Sequence, residues 1–234
     1  MVIDIVVLSG GLGTRIRPVF TGPKGLVPIR DRPVVAHVID WCLDFEPNHI
    51  VIAAGYRGQE LRNFLHDQYL GRVDIEIEET PLGTAGCIPP LLPQLADPFV
   101  VVNGDTLVDG DLRGLWTHHV KAGSAATIGI VKTDRSDVGR VALQHPPPGS
   151  VTQFAEKGTA LYPWTSAGVY VFQHSCFKRT LSLPASLETD ILPRLASSGQ
   201  LQAFPLNRVY DIGTPERLKE VEENWWTRCR EESP

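Results

Sequence analysis

An apolar run, Val2–Leu8, empties directly into Ser9-Gly10-Gly11-Leu12-Gly13-Thr14-Arg15, and this junction constrains the chain more than any other stretch. The run reads as a buried strand of the kind found in parallel sheets covered on both faces. Three glycines within four residues remove the Cβ atoms that would hold a ligand away. Consecutive backbone N–H groups can then converge on phosphate oxygens. Arg15 and Lys24 add full positive charge at the two ends of the loop. The junction is therefore expected to hold a polyphosphate, and the chain to handle a nucleotide. On these residues alone, the competing reading is a glycine-rich turn with charges facing solvent.

Two better-known glycine loops do not fit. A Gly-x-Gly-x-x-Gly fingerprint starting at Gly11 needs a glycine at position 16, where Ile16 stands. That third glycine is what lets helix and strand pack closely, so a dinucleotide site is disfavoured. No Gly-Lys-Ser/Thr closes the run either, which excludes a Walker-type P-loop. Pro18, Gly22 and Pro23 instead predict an extended loop reaching Lys24.

Strand and helix signals alternate beyond the loop. Pro33–Phe45 reads as a helix with Val34, Val38, Trp41 and Cys42 on one face. Strands are expected at His49–Ala54, Val73–Ile77 and Pro98–Asn103, and helices at Gln59–Tyr69 and Asp111–Ala122. Thr84–Leu95 should give one turn of helix and then irregular chain, because Pro89, Pro90 and Pro93 interrupt it. His145–Gly149, with three prolines, is expected as a surface loop. Short strands follow at Ala125–Val131, Arg140–Leu143, Val151–Phe154 and Gly168–Phe172. Their close spacing predicts antiparallel pairing in a small subdomain laid over one edge of the main sheet. Leu187–Ala196 reads as a helix, Leu201–Phe204 and Val209–Tyr210 as short strands, and Thr214-Pro215-Glu216 opens a last helix striped by Leu218, Val221 and Trp225. The expected fold is α/β: a mostly parallel, Rossmann-like sheet flanked by helices, with a small antiparallel subdomain.

Composition narrows the partners. The 234 residues suit one large domain, and a net charge of −5 without a basic run disfavours nucleic acid. Cys42, Cys87, Cys176 and Cys229 lack C-x-x-C spacing and read as buried free thiols. The chain starts on a strand without a signal-peptide pattern, and no apolar stretch is long enough to span a bilayer. The expectation is a protein of the reducing cytoplasm with no membrane partner. Trp225 and Trp226 read first as packing residues of the last helix and second as a self-association surface, which leaves a homo-oligomer open.

Candidate chemistry lies at strand ends. Asn103-Gly104-Asp105 closes an apolar strand, where open parallel sheets bind ligands. Asp211 stands between a short strand and a capped helix. Two such acids can share one Mg²⁺, which takes oxygen ligands and phosphates; each alone reads equally as a turn or cap residue. Glu156-Lys157 offers a cation beside an acid, though such pairs are commonly solvated surface. The loop Glu79–Gly86 follows a strand and can present N–H groups to a flat base, or serve simply as a helix entry. His118 and His119 have neither an i+4 histidine nor a cysteine partner, which argues against a metal role.

In order and nearly end to end, these segments resemble the sugar-nucleotidyltransferase family. The shared pieces are Gly-Gly-Leu-Gly-Thr-Arg with Pro23-Lys24, Pro-Leu-Gly-Thr-Ala-Gly at 81–86, Asn-Gly-Asp at 103–105, Glu-Lys at 156–157, Ala-Gly-Val-Tyr-Val-Phe at 167–172 and Asp-Ile-Gly-Thr-Pro at 211–215. Each is a weak or moderate signal alone; six in register are strong.

The resemblance implies a reaction between a nucleoside triphosphate and a sugar 1-phosphate that releases pyrophosphate. It implies one domain: 1–123 mainly for nucleotide, 124–210 mainly for sugar phosphate, and 211–234 for a metal ligand and a closing helix. Leu8, Gly10, Gly11, Gly13, Thr14, Arg15, Glu79, Gly83, Thr84, Asn103 and Gly104 would bind the nucleotide. Gly139, Glu156, Lys157, Ser166, Ala167 and Glu188 would hold the sugar phosphate, and Asp105 and Asp211 the Mg²⁺. Arg15, Lys24, Asp105, Lys157 and Asp211 would form the catalytic set.

Two positions depart from the family pattern. Ser166 replaces a usual Asn, which puts one sugar contact in doubt, and Gly25 replaces a proline-like residue, which is expected to loosen the loop near Lys24. Within the family the phrases look most like D-glycero-D-manno-heptose 1-phosphate guanylyltransferases, so GTP and that heptose phosphate are favoured. Uridylyl- or thymidylyltransferases acting on hexose or N-acetylmuramic acid 1-phosphates, and a non-catalytic sugar-nucleotide-binding regulator, remain as alternatives. No hexapeptide repeat follows the last helix, so a fused β-helix domain is not expected.

Overall fold

The structure, a computed structural model, describes residues 2–135, 138–155 and 162–229, with side chains as far as Trp225. The first half holds strands β1 (Asp4–Ser9), β2 (Pro28–Ile29), β3 (Arg32–Pro33), β4 (His49–Ala54), β5 (Asp74–Ile77), β6 (Phe99–Asn103) and β7 (Thr106–Asp109). The second half adds β8 (Ala126–Lys132), β9 (Arg140–Leu143), β10 (Gly149–Ala155), β11 (Trp164–Phe172), β12 (Leu201–Pro205) and β13 (Arg208–Asp211). The helices are α1 (Val34–Leu43), α2 (Gly58–Tyr69), α3 (Gly83–Gly86), α4 (Leu112–Ala122), α5 (Leu192–Ser197) and α6 (Pro215–Cys229).

Nine strands form one sheet in the order β5-β4-β1-β6-β11-β8-β12-β10-β9. Period-2 alternation divides their apolar side chains between two cores. On β1, Ile5 and Val7 enter one core and Val6 the other; on β6, Val100 and Val102 oppose Phe99 and Val101. Residues of α1, α2, α4 and α6 pack in the first core, and residues of α3 and α5 in the second. The result is a helix–sheet–helix sandwich. Asp4, the one charged residue in the opening apolar run, is buried, and its carboxylate accepts the Ala96 N–H at 2.6 Å.

Strands β5, β4, β1 and β6 are mutually parallel, so β1 has an earlier-paired strand on one side and β6 on the other. That is a topological switch point, and the ends of β1 and β6 flank the resulting crevice.

The α/β class and the flanking helices match expectation, whereas the later strands differ in placement. They are not laid over the sheet edge; β11 pairs antiparallel with β6 in mid-sheet, and β8, β12, β10 and β9 continue outward. The sheet is therefore mixed. The reason lies in β11, which sends Ala167, Val169 and Val171 into one core and Tyr170 and Phe172 into the other. A strand apolar on both faces belongs in the middle of a sheet.

Smaller differences have local causes. Beyond α3 the chain is a 3₁₀ turn, Pro89–Gln94, in place of irregular chain. The helix expected over 187–196 is split: Leu187–Ile191 closes as a π-turn before α5, where Pro193 cannot donate a helical hydrogen bond. Trp225 packs edge-on against Tyr210, 5.6 Å between ring centroids; the Trp226 side chain lies outside the described residues. Cys42 and Cys176 are buried and Cys87 half-buried, all three as free thiols. Among the described residues no helix is long and apolar enough to cross a membrane.

His119 on α4 is buried and shares a 3.0 Å hydrogen bond with Thr127. Burial, reinforced by the neighbouring His118, lowers its pKa from 6.5 to about 4. The folded chain then binds fewer protons there than the unfolded chain, so this contribution is complete above about pH 6.5 and is lost as pH falls through about 4. Urea midpoints should fall more steeply between pH 7 and 4.5 in the wild type than in His119→Gln. Parallel profiles would contradict the assignment.

Candidate active site

The glycine loop leaves β1 and is pinned by Ile16, which is buried and whose N–H bonds to the Gly13 carbonyl at 3.1 Å. Gly11, Thr14 and Arg15 are exposed, and a Cβ on Gly11 would project into open space. The loop ends in a 3₁₀ turn, Lys24–Leu26. Gly25 does not loosen that turn: it is buried, and a Cβ there would lie 2.9 Å from Ser9 Oγ. The glycine lets the turn close on the end of β1 and brings Lys24 inward.

Opposite the loop, β6 ends in Asn103 and the chain turns back through Gly104 and Asp105 into β7. The Gly104 N–H bonds to the Leu8 carbonyl at 2.9 Å, tying the two strand ends together. Strand β7 pairs antiparallel with β13, with Asp211 opposite Thr106, and the Ile212 N–H reaches the Asp105 carbonyl at 3.3 Å. Two acids remote in sequence thereby become neighbours on one wall. Both line a cavity of about 920 Å³ together with Arg15, Lys24, Asn103, Gly139, Ser166, Ala167 and Glu188.

Each acid carries its own cation. Asp105 pairs with Lys24 through one oxygen and accepts Thr106 Oγ1 at 3.1 Å through the other. Burial pushes the Asp105 pKa up, but the Lys24 charge and these hydrogen bonds outweigh it and hold the carboxyl below its usual value. Asp211 Oδ1 accepts Arg217 Nη1 at 2.6 Å and the Gly213 N–H at 2.9 Å, and Arg135 Nη1 lies 3.8 Å from Oδ2. A Cβ on Gly213 would lie 3.3 Å from Arg217 Nη1 and 3.4 Å from Arg15 Nη2, so both guanidinium groups crowd the Asp211–Gly213 turn.

The far wall comes from a bulge in β11, whose register with β8 shifts between Ser166 and Tyr170. Bulges re-aim side chains beside functional sites. Here Ser166 Oγ lies 2.9 Å from the Tyr170 hydroxyl and accepts the Gly168 N–H at 3.1 Å. The Ser166 hydroxyl is therefore committed to the protein's own floor. Glu188 Oε2 is fixed by Thr84 Oγ1 at 3.0 Å and Ser186 Oγ at 2.8 Å. Gly139 accepts Thr165 Oγ1 at 2.7 Å.

Of the expected nucleotide residues, Arg15 and Asn103 line the cavity, as does Lys24 of the catalytic set, whereas Leu8, Gly10, Gly11, Gly13, Thr14 and Gly104 lie along the neighbouring mouth of β1 and β6. Thr84 holds Glu188 rather than lining the cavity. Gly83 packs against the Ala185 segment: its φ is +82°, and a Cβ would lie 2.3 Å from the Ala185 carbonyl oxygen. Glu79 is exposed, and the preceding Glu78 is the carboxylate that meets the loop. A Cβ on Gly10 would lie 2.8 Å from Glu78 Oε1, while Glu78 Oε2 accepts the Leu82 N–H at 3.0 Å. Burial raises the Glu78 pKa against the opposing effect of that hydrogen bond. Glu156 and Lys157 lie outside the described residues.

Sequence reasoning missed Glu78, Arg135, Tyr170 and Arg217. Arg217 had a usable signal, since it follows the flagged Asp211 by six residues, in the first turn of the next helix.

The donor set suits a hard divalent ion. Two carboxylates on one wall offer oxygen only, and Mg²⁺ is commonly held by one or two acids plus phosphates. Among the described residues no group of three or more His, Cys, Asp or Glu is arranged to hold a metal, so further ligands would come from water and phosphate.

Residues 4–227 match the nucleotidyl transferase family model, and the chain belongs to that family. It is 33% identical over 220 residues to a mannose-1-phosphate guanyltransferase of Aspergillus fumigatus, covering 90% of this chain and 60% of that protein. It is 31% identical over 219 residues to the mannose-1-phosphate guanylyltransferase catalytic subunit beta of Xenopus tropicalis, covering 90% and 61%. The chain thus spans about three-fifths of the length of these relatives. Among solved structures, HddC from Yersinia pseudotuberculosis superposes with a TM-score of 0.81 at 27% identity, over 95% of this chain and 99% of that one. HddC has also been solved complexed with GMP-PN. A Bacillus anthracis structure described as a putative glucose-1-phosphate thymidylyltransferase gives 0.84 at 19% identity over 94% of each chain, and shows the shared fold.

Because Gly83 stands at positive φ against a carbonyl oxygen, Gly83→Ala should cost about 2–4 kcal/mol of stability from backbone strain and overpacking. Urea unfolding measures this. An unchanged midpoint would mean that the 82–86 turn does not press on Ala185.

Proposed function

We propose that the chain is a sugar-1-phosphate guanylyltransferase: the sugar phosphate oxygen attacks the α-phosphorus of GTP, and the bond to pyrophosphate breaks. The observation that carries this is the meeting of Asp105 and Asp211 in one cavity, faced by Lys24 and Arg15. The sugar phosphate oxygen is anionic at neutral pH, so no general base is needed to create the nucleophile. The physical difficulty is bringing two anions together in line. Arg15 and Lys24 lower that repulsion at the triphosphate, and Lys157 is assigned to the incoming sugar phosphate. Asp105 and Asp211 would hold Mg²⁺, which when bound neutralises phosphate charge.

Guanine is supported by the names of the relatives, by the GMP-PN complex of HddC and by Glu78. A carboxylate beside the glycine loop can accept two adjacent N–H groups, which guanine presents and uracil or thymine does not. For the acceptor, the motif resemblance favours D-glycero-α-D-manno-heptose 1-phosphate. The relatives' names favour mannose 1-phosphate as the second reading. Glu188, fixed through Oε2, is assigned to the sugar hydroxyls.

Pyrophosphate release from each nucleoside triphosphate mixed with heptose, mannose, glucose and N-acetylmuramic acid 1-phosphates tests the assignment. GTP with the heptose phosphate should give the highest kcat/KM. Silence across the whole panel would favour a binding protein instead. Asp105→Ala should lower kcat about 100- to 1,000-fold, the usual cost of one preorganised electrostatic contact. Full activity with an unchanged metal requirement would remove Asp105 from the ion. Lys157→Ala should raise KM for the sugar phosphate about tenfold or more, the scale of one charge-assisted hydrogen bond, with kcat less affected. Unchanged kinetics would place Lys157 elsewhere.

A further inference from the structure

Arg217 sits in the first turn of α6, with only 11% of its side chain exposed, and donates to Asp211 at 2.6 Å. Lys24, 15% exposed, pairs with Asp105 in the same cavity. Taken as a unit, the two acids and the cation closest to each are electrically neutral, and Arg135, 3.8 Å from Asp211 Oδ2, adds further positive charge beside them. A divalent ion arriving alone must compete with both cations and leaves the unit with two surplus positive charges. A divalent ion arriving with a polyphosphate does not, because the phosphates take over the displaced cations. Arg217 is well suited to that transfer, since its planar guanidinium serves carboxylate and phosphate alike. It also borders the Asp211–Gly213 turn beside Arg15, the residue assigned to the triphosphate.

We propose that Arg217 is a positioning residue that holds the Asp211 carboxylate until nucleotide arrives, then passes to a phosphate and releases Asp211 to the divalent ion. Ion binding and nucleotide binding are thereby coupled through one side chain. This rests on the assignment of Asp105 and Asp211 to the ion. Lys24 neutralises Asp105 in the same way, but Arg217 lies outside the glycine loop and can be changed without altering that loop.

The test measures two affinities separately, on purified protein with matched circular-dichroism spectra. Mn²⁺ is titrated without nucleotide by the loss of its free electron-paramagnetic-resonance signal. A non-hydrolysable GTP analogue is titrated calorimetrically in excess chelator. In Arg217→Gln, Mn²⁺ affinity should rise and nucleotide affinity should fall, each by about tenfold, the scale of one charge-assisted hydrogen bond. Arg135→Gln, which removes a more distant and more exposed cation, should shift Mn²⁺ affinity less than threefold. An Arg217 with only a structural role would lower both affinities or neither, and either result overturns the proposal. An equal Mn²⁺ gain in Arg135→Gln does so too, because the effect would then be unspecific charge. If Arg217→Gln does not fold, Arg217→Lys, with its shorter reach, should shift the two affinities in the same opposite directions by a smaller factor. A shared direction there also overturns the proposal. Asp211→Asn separates the two levels: Mn²⁺ binding that survives it refutes the ion assignment, whereas Mn²⁺ binding lost with it, beside an inert Arg217→Gln, refutes only the role of Arg217.

Discussion

The short ladder between β7 and β13 is the constraint on which the site depends. Its register sets Asp211 opposite Thr106 and so beside Asp105. Without it, one acid would belong to the end of β6 and the other to the entrance of a C-terminal helix. Two carboxylates on a partly buried wall repel, and one of them would tend to take up a proton. Lys24 and Arg217 remove that repulsion. The glycine loop, the end of β6 and the start of α6 are thus joined by charge as well as by backbone hydrogen bonds.

The sheet supplies the frame. Parallel β1 and β6 end side by side at the switch point, which opens a crevice at their carboxyl ends. Antiparallel β11 then brings a different kind of wall against β6. Its bulge at Ser166–Tyr170 interrupts the ladder where the cavity needs depth. Ser166, Tyr170 and Gly168 bond among themselves, so this floor is built before any ligand arrives.

Much of this was legible in the residues. The strands β1, β4 and β6 are short apolar runs bounded by glycine or polar residues, and they stand where that pattern puts them. Strand β7 was not legible, since Thr106–Asp109 is brief and its partner lies about a hundred residues away. The placement of β11 needed knowledge of both faces, and its bulge hides the first half of the strand from a period-2 reading. Glu79 was named where Glu78 meets the loop, because neighbouring residues after a strand point to opposite sides and composition cannot choose between them. Nothing in the sequence marks Arg217 beyond its place six residues after Asp211, and its pairing with that acid depends on where α6 starts. Gly83 is expected in the nucleotide site on the family resemblance alone, and the neighbour that requires a glycine there, Ala185, is a contact between distant segments.

In the proposed reading one divalent ion joins Asp105 and Asp211 when nucleotide is present. Crystals grown with Mn²⁺ and a non-hydrolysable GTP analogue, with data collected near the manganese absorption edge, address it directly. The account predicts an anomalous peak within ligand distance of an oxygen from each of the two carboxylates and of a nucleotide phosphate. A peak served by only one of the acids, or by neither, would contradict it.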